Sequence, residues 1–200
     1  MHLYRLQNEH LQIEVTNLGV RLVSMIYLGS NLNQQLVLGQ WSLAEYENDM
    51  SYVGAVVGRT CNRIQGARFE LDGEAFQLDA NEGQHHLHGG ESGFHNCCWQ
   101  VTNESNGLLF KLESQDGESG YPGRVDAWVR ISLIGTSLQY EFGGRTDQPG
   151  LLDMTSHSYY CLDDTGSIEH HELTLASDRY AVINDEMIPT GELRSVAGSP

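Results

Sequence analysis

The chain has 200 residues, with 27 acidic against 11 basic side chains and a formal net charge of −16 at neutral pH. That length reads as one domain over residues 1–200, large enough to bury a core. Affinity for nucleic acid or for an anionic membrane face comes largely from Lys and Arg neutralising phosphate, so neither is expected as a partner. No apolar run approaches the roughly 18 residues that cross a bilayer as a helix, and Met1-His2-Leu3-Tyr4-Arg5 lacks the blocks of a signal peptide. A soluble, cytoplasmic protein is expected.

In chain order, the elements are mostly strands. Leu11, Ile13 and Val15 alternate with polar neighbours, the period of two that buries one face of a strand. Ser42-Leu43-Ala44-Glu45 has the spacing of a capping box, but the apolar pattern lasts only to Tyr46, so it predicts a turn or two of helix. Phe69 and Leu71, then Asp72-Gly73, then Phe76 and Leu78 predict a hairpin whose turn tolerates positive φ. Asn106-Gly107 predicts the same between Trp99/Val101 and Leu108/Phe110/Leu112. Val125, Ala127, Val129, Ile131 and Leu133 form a longer alternating run, and a third turn at Gly135-Thr136 leads into Leu138, Tyr140 and Phe142. With 22 glycines, many short strands and almost no helix, the fold class is all-β and antiparallel, a sandwich or barrel. Cys61, Cys97, Cys98 and Cys161 are too sparse for a disulfide framework, and no C-x-x-C spacing occurs, so reduced thiols acting as small hydrophobes are expected.

Of nine histidines, four fall in the segment His85-His86-Leu87-His88-Gly89-Gly90-Glu91-Ser92-Gly93-Phe94-His95. Its glycines let a backbone approach a ligand, and imidazole exchanges protons near neutrality. His88, between Leu87 and two glycines, is the functional candidate. His85, His86 and His95 read as surface residues with one satisfied core histidine among them. His86-x-His88-x-x-Glu91 has the look of a cupin metal cluster, but the Gly-Gly pair breaks the strand before Glu91 could join the face that His86 and His88 share. His157, within Met154-Thr155-Ser156-His157-Ser158-Tyr159-Tyr160, sits among polar and aromatic residues that suit a sugar ring; a buried structural histidine is an equal reading. Asn62-Arg63 offers an arginine fork matched to vicinal hydroxyls or a carboxylate, although either Arg59 or Arg63 could serve as an internal ion-pair partner.

Taken together, these segments resemble the aldose 1-epimerases, also called galactose mutarotases. The resemblance runs through Gly58-Arg59-x-x-Asn62-Arg63-Ile64, Phe69-x-Leu71-Asp72-Gly73, Asn81, Leu87-His88-Gly89-Gly90, Gly93-Phe94 and Trp99. It continues through Gly120-Tyr121-Pro122-Gly123, Thr155-x-His157-Ser158-Tyr159 and Ile188-Pro189-Thr190-Gly191-Glu192. It implies a large antiparallel β-sandwich of the galactose mutarotase type that interconverts the anomers of a free hexose such as galactose or glucose, with no cofactor and no metal. By that resemblance Arg63 binds sugar hydroxyls with Asn62 beside it, His157 is the general acid toward the ring oxygen, and His88 helps to position and polarise the sugar.

The sequence departs from the family in stated places. The family's glutamate base and a sugar-binding aspartate lie beyond the segment matching Ala197-Gly198-Ser199-Pro200 in a considerably longer chain, so neither role falls on a residue here by motif. The sandwich is accordingly expected to be incomplete at its C-terminus, with uncovered edges through which the chain self-associates. Ser156 stands where the family usually has Asn, and Cys61 where a small apolar residue is usual. Two other readings compete: a non-catalytic carbohydrate-binding domain that lacks the base, and a cupin-like metalloenzyme.

Overall fold

The computed structural model describes residues 1–29, 33–39, 42–163 and 165–198; Ser199 and Pro200, the end of the matched C-terminal segment, lie outside the described residues. A first sheet contains β1 (Leu3–Gln7), β2 (Leu11–Thr16), β3 (Leu22–Leu28) and β4 (Asn33–Gln35), paired antiparallel in sequence order. Short strands follow: β5 (Val56–Val57), β6 (Arg63–Ile64), the hairpin β7 (Arg68–Leu71) and β8 (Glu74–Gln77), and β9 (His86–Leu87). A second sheet contains β10 (Gln100–Glu104), β11 (Gly107–Ser114), β12 (Val125–Ile134) and β13 (Ser137–Thr146), also a sequential antiparallel meander. Then come β14 (Thr155–Ser156), β15 (Arg179–Ile183) and β16 (Pro189–Ser195). Two pairings join distant segments: β14 to β5, and β6 to β9. Among the described residues there is no α-helix, only short 3-10 segments, and no helix long and apolar enough to cross a membrane.

The two sheets face each other as a sandwich. Leu11, Ile13 and Val15 of β2 and Leu22 of β3 share one buried cluster with Leu108 and Phe110 of β11 and with Val125, Ala127, Val129 and Ile131 of β12. The Tyr4 ring meets Phe110 edge-on at 6.3 Å, and Phe94 meets Trp99 at 5.5 Å. Each large apolar side chain buried this way contributes about 1.5–3 kcal/mol, more than a cap or turn at about 1 kcal/mol. Alternation therefore decides the register, and the turns accommodate it.

The local signals hold unevenly. Asp72 (φ 53°) and Gly73 (φ 85°) turn the β7–β8 hairpin in the left-handed region, as their chemistry requires. Gly135 (φ 56°) begins the β12–β13 turn. Ser42 heads a 3-10 segment, Leu43–Asn48, and Glu45 reaches back to accept the Ser42 backbone N–H at 2.7 Å. Asn106-Gly107 is a correction. Gly107 pairs with Glu104 as the first residue of β11, so the turn is Ser105-Asn106. The glycine is needed for a different reason: a Cβ at position 107 would lie 2.3 Å from the Ile131 carbonyl oxygen of the neighbouring strand.

This contrast is testable by urea denaturation. A Cβ at Gly73 meets nothing within 4 Å, so Gly73→Ala costs only its left-handed backbone strain, about 1–2 kcal/mol. Gly107→Ala must displace a strand of the second sheet and is expected to lower the midpoint further. Equal midpoints would show that Gly107 is not a packing glycine.

Candidate active site

The site begins with two left-handed residues that grip each other. Asn62 has φ 58° and His88 has φ 52°. The Asn62 backbone N–H donates to His88 Nδ1 at 3.0 Å, and the His88 backbone N–H donates to the Asn62 carbonyl at 3.1 Å. Asparagine tolerates this region better than most residues, whereas a histidine there is strained and must be held by its surroundings. What holds it is next in sequence: a Cβ at Gly89 would sit 1.7 Å from the Gly58 carbonyl oxygen, so the two backbones are in direct contact. Antiparallel pairing of β6 with β9 sets Arg63 opposite Leu87. Asn81 secures β9, accepting the Leu87 N–H at 2.8 Å and donating to the Leu87 carbonyl at 3.0 Å.

His157 arrives from the other direction. β14 pairs with β5, and the register carries on as the His157 N–H donates to the Ala55 carbonyl at 2.7 Å. Its ring lies 5.1 Å from that of His88, nearly perpendicular at 85°. Tyr52, at φ 56°, packs beside both: its ring is 4.7 Å from His88, 4.7 Å from His95 and 5.8 Å from His157. Arg63 is bound through Nε and Nη2 to the Glu82 carboxylate at 2.5 and 2.7 Å, while both side chains keep some exposure. That ion pair lowers the Glu82 carboxyl below its usual range and raises the Arg63 guanidinium. His157, Arg63 and Asn62 thus lie together around His88.

The hydrogen bonds determine what His88 can do. A nitrogen that accepts a backbone N–H carries no proton, so neutral His88 holds its proton on Nε2. Burial, then the neighbouring His157 and Arg63, lower its pKa to about 4. At neutral pH it is a fixed Nε2–H donor without charge.

The remaining sequence candidates are structural. His85, His86 and His95 are all buried, where one core histidine among surface ones is expected from the sequence. His86 Nδ1 lies 2.8 Å from the Asp79 carbonyl and so donates; Nε2 then accepts the Tyr121 hydroxyl at 2.7 Å, and Tyr121 in turn meets the Thr60 hydroxyl. With both ring nitrogens committed, His86 does not share an ion with His88 and Glu91, which removes the geometric basis of the cupin reading. Arg59 is the internal arginine, donating to Ser114 Oγ and to the carbonyls of Gln115, Pro122 and Gly123. Ser156 bonds to Ser158 through their hydroxyls at 2.9 Å. Glu192 is exposed on β16, paired with Arg194 at 3.0 Å.

Tyr52 and Glu82 were not singled out by the sequence reading. Tyr52 lies in no alternating run or motif, and its placement comes from the buried Arg21–Asp49 pair at 2.6 Å that folds the loop before it. The position of Glu82, one residue after the motif asparagine Asn81, is the weak signal available for an Arg63 partner.

Protonation and stability are linked here. Both His88 and His95 have their pKa lowered to about 4, burial being the largest cause for each. Unfolded histidines titrate near 6.5, so between about pH 6.5 and 4 the unfolded chain takes up protons that the folded chain refuses. Stability from this source is full above pH 6.5 and lost as the pH falls toward 4. Thermal unfolding midpoints measured from pH 7.5 to 4.5 are expected to drop, and to drop less steeply in His88→Asn; an unchanged slope in that variant would deny His88 the shift.

The sequence profile of the aldose 1-epimerase family matches residues 2–200. Galactose mutarotase of Sus scrofa is 36% identical over 199 residues, covering 98% of this chain and 58% of the relative. An aldose 1-epimerase of Haemophilus influenzae is 35% identical over 203 residues, covering 98% of this chain and 59% of its own. The crystal structure of an aldose epimerase homologue from C. elegans superposes with a TM-score of 0.93 at 29% identity, over 98% of this chain and 62% of that one. This chain therefore spans less than two thirds of the length of these relatives. A match over nearly every residue, carried on a shared sandwich, makes the chain a member of the aldose 1-epimerase family.

Proposed function

We propose that residues 1–200 form a single domain, part of a mutarotase-type sandwich, that binds a free hexose such as galactose or glucose and takes part in interconverting its α and β anomers. Opening a hemiacetal ring moves a proton off the anomeric hydroxyl and another onto the ring oxygen, so an acid and a base must flank one sugar. In this reading His157 is the acid toward the ring oxygen. His88, neutral and donating through Nε2, polarises the same region without competing for the proton. Arg63 reads hydroxyls with the edge that Glu82 leaves free, and Asn62 stands beside it. The base is assigned to no residue of this chain; the resemblance puts it in the part of the relatives that these residues do not cover. The observation that carries the reading is the pair of perpendicular imidazoles 5.1 Å apart, one of them kept neutral chiefly by burial and fixed in its tautomer by the Asn62 backbone N–H.

The same reading gives the exposed apolar side chains of the C-terminal third a purpose. Leu173 (84% exposed), Leu175 (68%) and Leu193 (61%) are surfaces on which further strands or a second copy pack, so self-association is part of the proposal.

Polarimetry on freshly dissolved α-D-galactose and α-D-glucose, paired with sugar titration, is the test. The chain is expected to bind sugar; accelerated mutarotation would assign it the complete chemistry, and binding without acceleration would identify a sugar-holding unit without its base. No binding of either sugar would overturn the proposal. In a protein carried through the region that its relatives contain, His157→Ala is expected to lower kcat by about 10²–10⁴-fold with little change in KM. Arg63→Ala should act mainly on KM. Unchanged kcat in His157→Ala would remove it from the acid role.

A further inference from the structure

Away from the histidine site, Cys161, Asp163 and His171 bring a thiol sulfur, a carboxylate oxygen and an imidazole nitrogen within 4.8 Å of one another, all half-buried. They form the one such group of three among the described residues. The framework around them is anchored. The Cys161 N–H donates to the Leu36 carbonyl at 3.0 Å, and Gln34 Nε2 donates to the Leu162 carbonyl at 2.7 Å, tying this stretch to the edge of the first sheet. Asp163 commits Oδ1 to the Thr165 N–H (3.0 Å) and hydroxyl (2.6 Å), which leaves Oδ2 facing His171 Nε2 at 3.6 Å. The Cys161 thiol makes only long contacts, to the Asp163 carbonyl at 3.7 Å and the Ser167 carbonyl at 4.0 Å.

Two readings of His171 compete. As a protonated partner of Asp163 it would carry a proton on Nε2, yet that nitrogen accepts the Leu162 backbone N–H at 3.3 Å, which requires its lone pair. With Nε2 unprotonated, the imidazole nitrogen and the carboxylate oxygen stand 3.6 Å apart beside a thiol, and the Nε2 lone pair has only the long 3.3 Å contact from the Leu162 N–H. A proton satisfies two of these donors; a cation satisfies three. Donors bound tetrahedrally to Zn²⁺ stand about 3.5 Å apart, which the carboxylate–imidazole separation already matches. A thiolate–imidazole–carboxylate set favours a borderline-soft divalent ion over Mg²⁺ or Ca²⁺.

We propose that Cys161, Asp163 and His171 form a binding site for a divalent transition metal, Zn²⁺ or a chemically similar ion, with water in the fourth position. On binding, the Cys161 thiol gives up its proton to solvent, the ion displaces the long Leu162 N–H contact from His171 Nε2 and leaves that N–H to water, and the sulfur, Asp163 Oδ2 and His171 Nε2 become the three protein ligands. The ion acts as a staple. The described residues between β14 and β15 contain no named strand, so a metal bridging residues 161 and 171 ties together chain that no strand pairing joins, starting four residues downstream of His157. The site is separate from the sugar-directed histidines and stands or falls independently of them.

Co²⁺ titration of the 200-residue chain, followed by absorbance, is the test. The expected result is a 1:1 complex with tetrahedral d–d bands and a near-ultraviolet sulfur-to-cobalt charge-transfer band, displaced by Zn²⁺, with Zn²⁺ also raising the thermal midpoint. Cys161→Ser, nearly isosteric, should abolish the charge-transfer band and weaken binding at least tenfold. His171→Ala should weaken it comparably, and Cys98→Ser should leave it unchanged. Absence of the band in a chain with an unaltered β circular-dichroism spectrum, or its persistence in Cys161→Ser, overturns the proposal in favour of a protonated His171–Asp163 pair.

Discussion

A guanidinium taken out of water must find acceptors or its burial becomes costly, and this requirement organises the loops around the paired imidazoles. Arg21 has no exposure, and Arg59 only 3%. Arg21 directs Nη1 onto Asp49 and the Val53 carbonyl, which closes the loop carrying Tyr52, while its Nε stays without a partner. Arg59 satisfies itself on Ser114 and on three carbonyls between Gln115 and Gly123, which binds the segment leading to Asn62 and Arg63 to the end of the second sheet. Each loop carbonyl that loses such a donor is left with a desolvation cost of about 1–3 kcal/mol. These loops owe their fixed positions to charge that has no access to water.

On that rigid support the histidines divide by what their nitrogens meet. His86 spends both on protein partners and becomes structure. His88 spends one on a backbone N–H, which sets its tautomer and leaves the other free. His157 contributes its backbone to the pairing with Ala55, so its ring position follows from a strand register and not from a side-chain bond. Ordering of this kind is what a proton-transfer site needs, since a misplacement of about 1 Å can cost about 10² in rate.

How much of this was readable beforehand depended on range. The long alternations at Leu11–Val15 and Val125–Leu133 stated their own burial, and Asp72-Gly73 stated its turn, because both signals are contained in neighbouring residues. Asn106-Gly107 misled because the same dipeptide can turn a chain or let a strand approach, and the Ile131 carbonyl that decides between them is 24 positions away in the register of another strand. Only one of His85, His86 and His95 reads as a core residue because a polar side chain gives no local sign that Asp79, Tyr121 or Gly66 will meet it inside. Asn62, Arg63, His88 and His157 were legible through a resemblance spread over the chain. Tyr52 and Glu82 were not, since their importance exists only after β5, β6, β9 and β14 have been brought together.

The touching backbones of Gly58 and Gly89 carry one more implication. With no side chain on either, and Phe94 within 2.5 Å of where one would start at Gly58, there is no slack through which the His88 turn could shift relative to its support. Rotamer changes or conservative substitutions nearby cannot retune that geometry by small steps. Variation around this turn is therefore left to side chains on the surrounding loops, which can change while the paired imidazoles stay as they are.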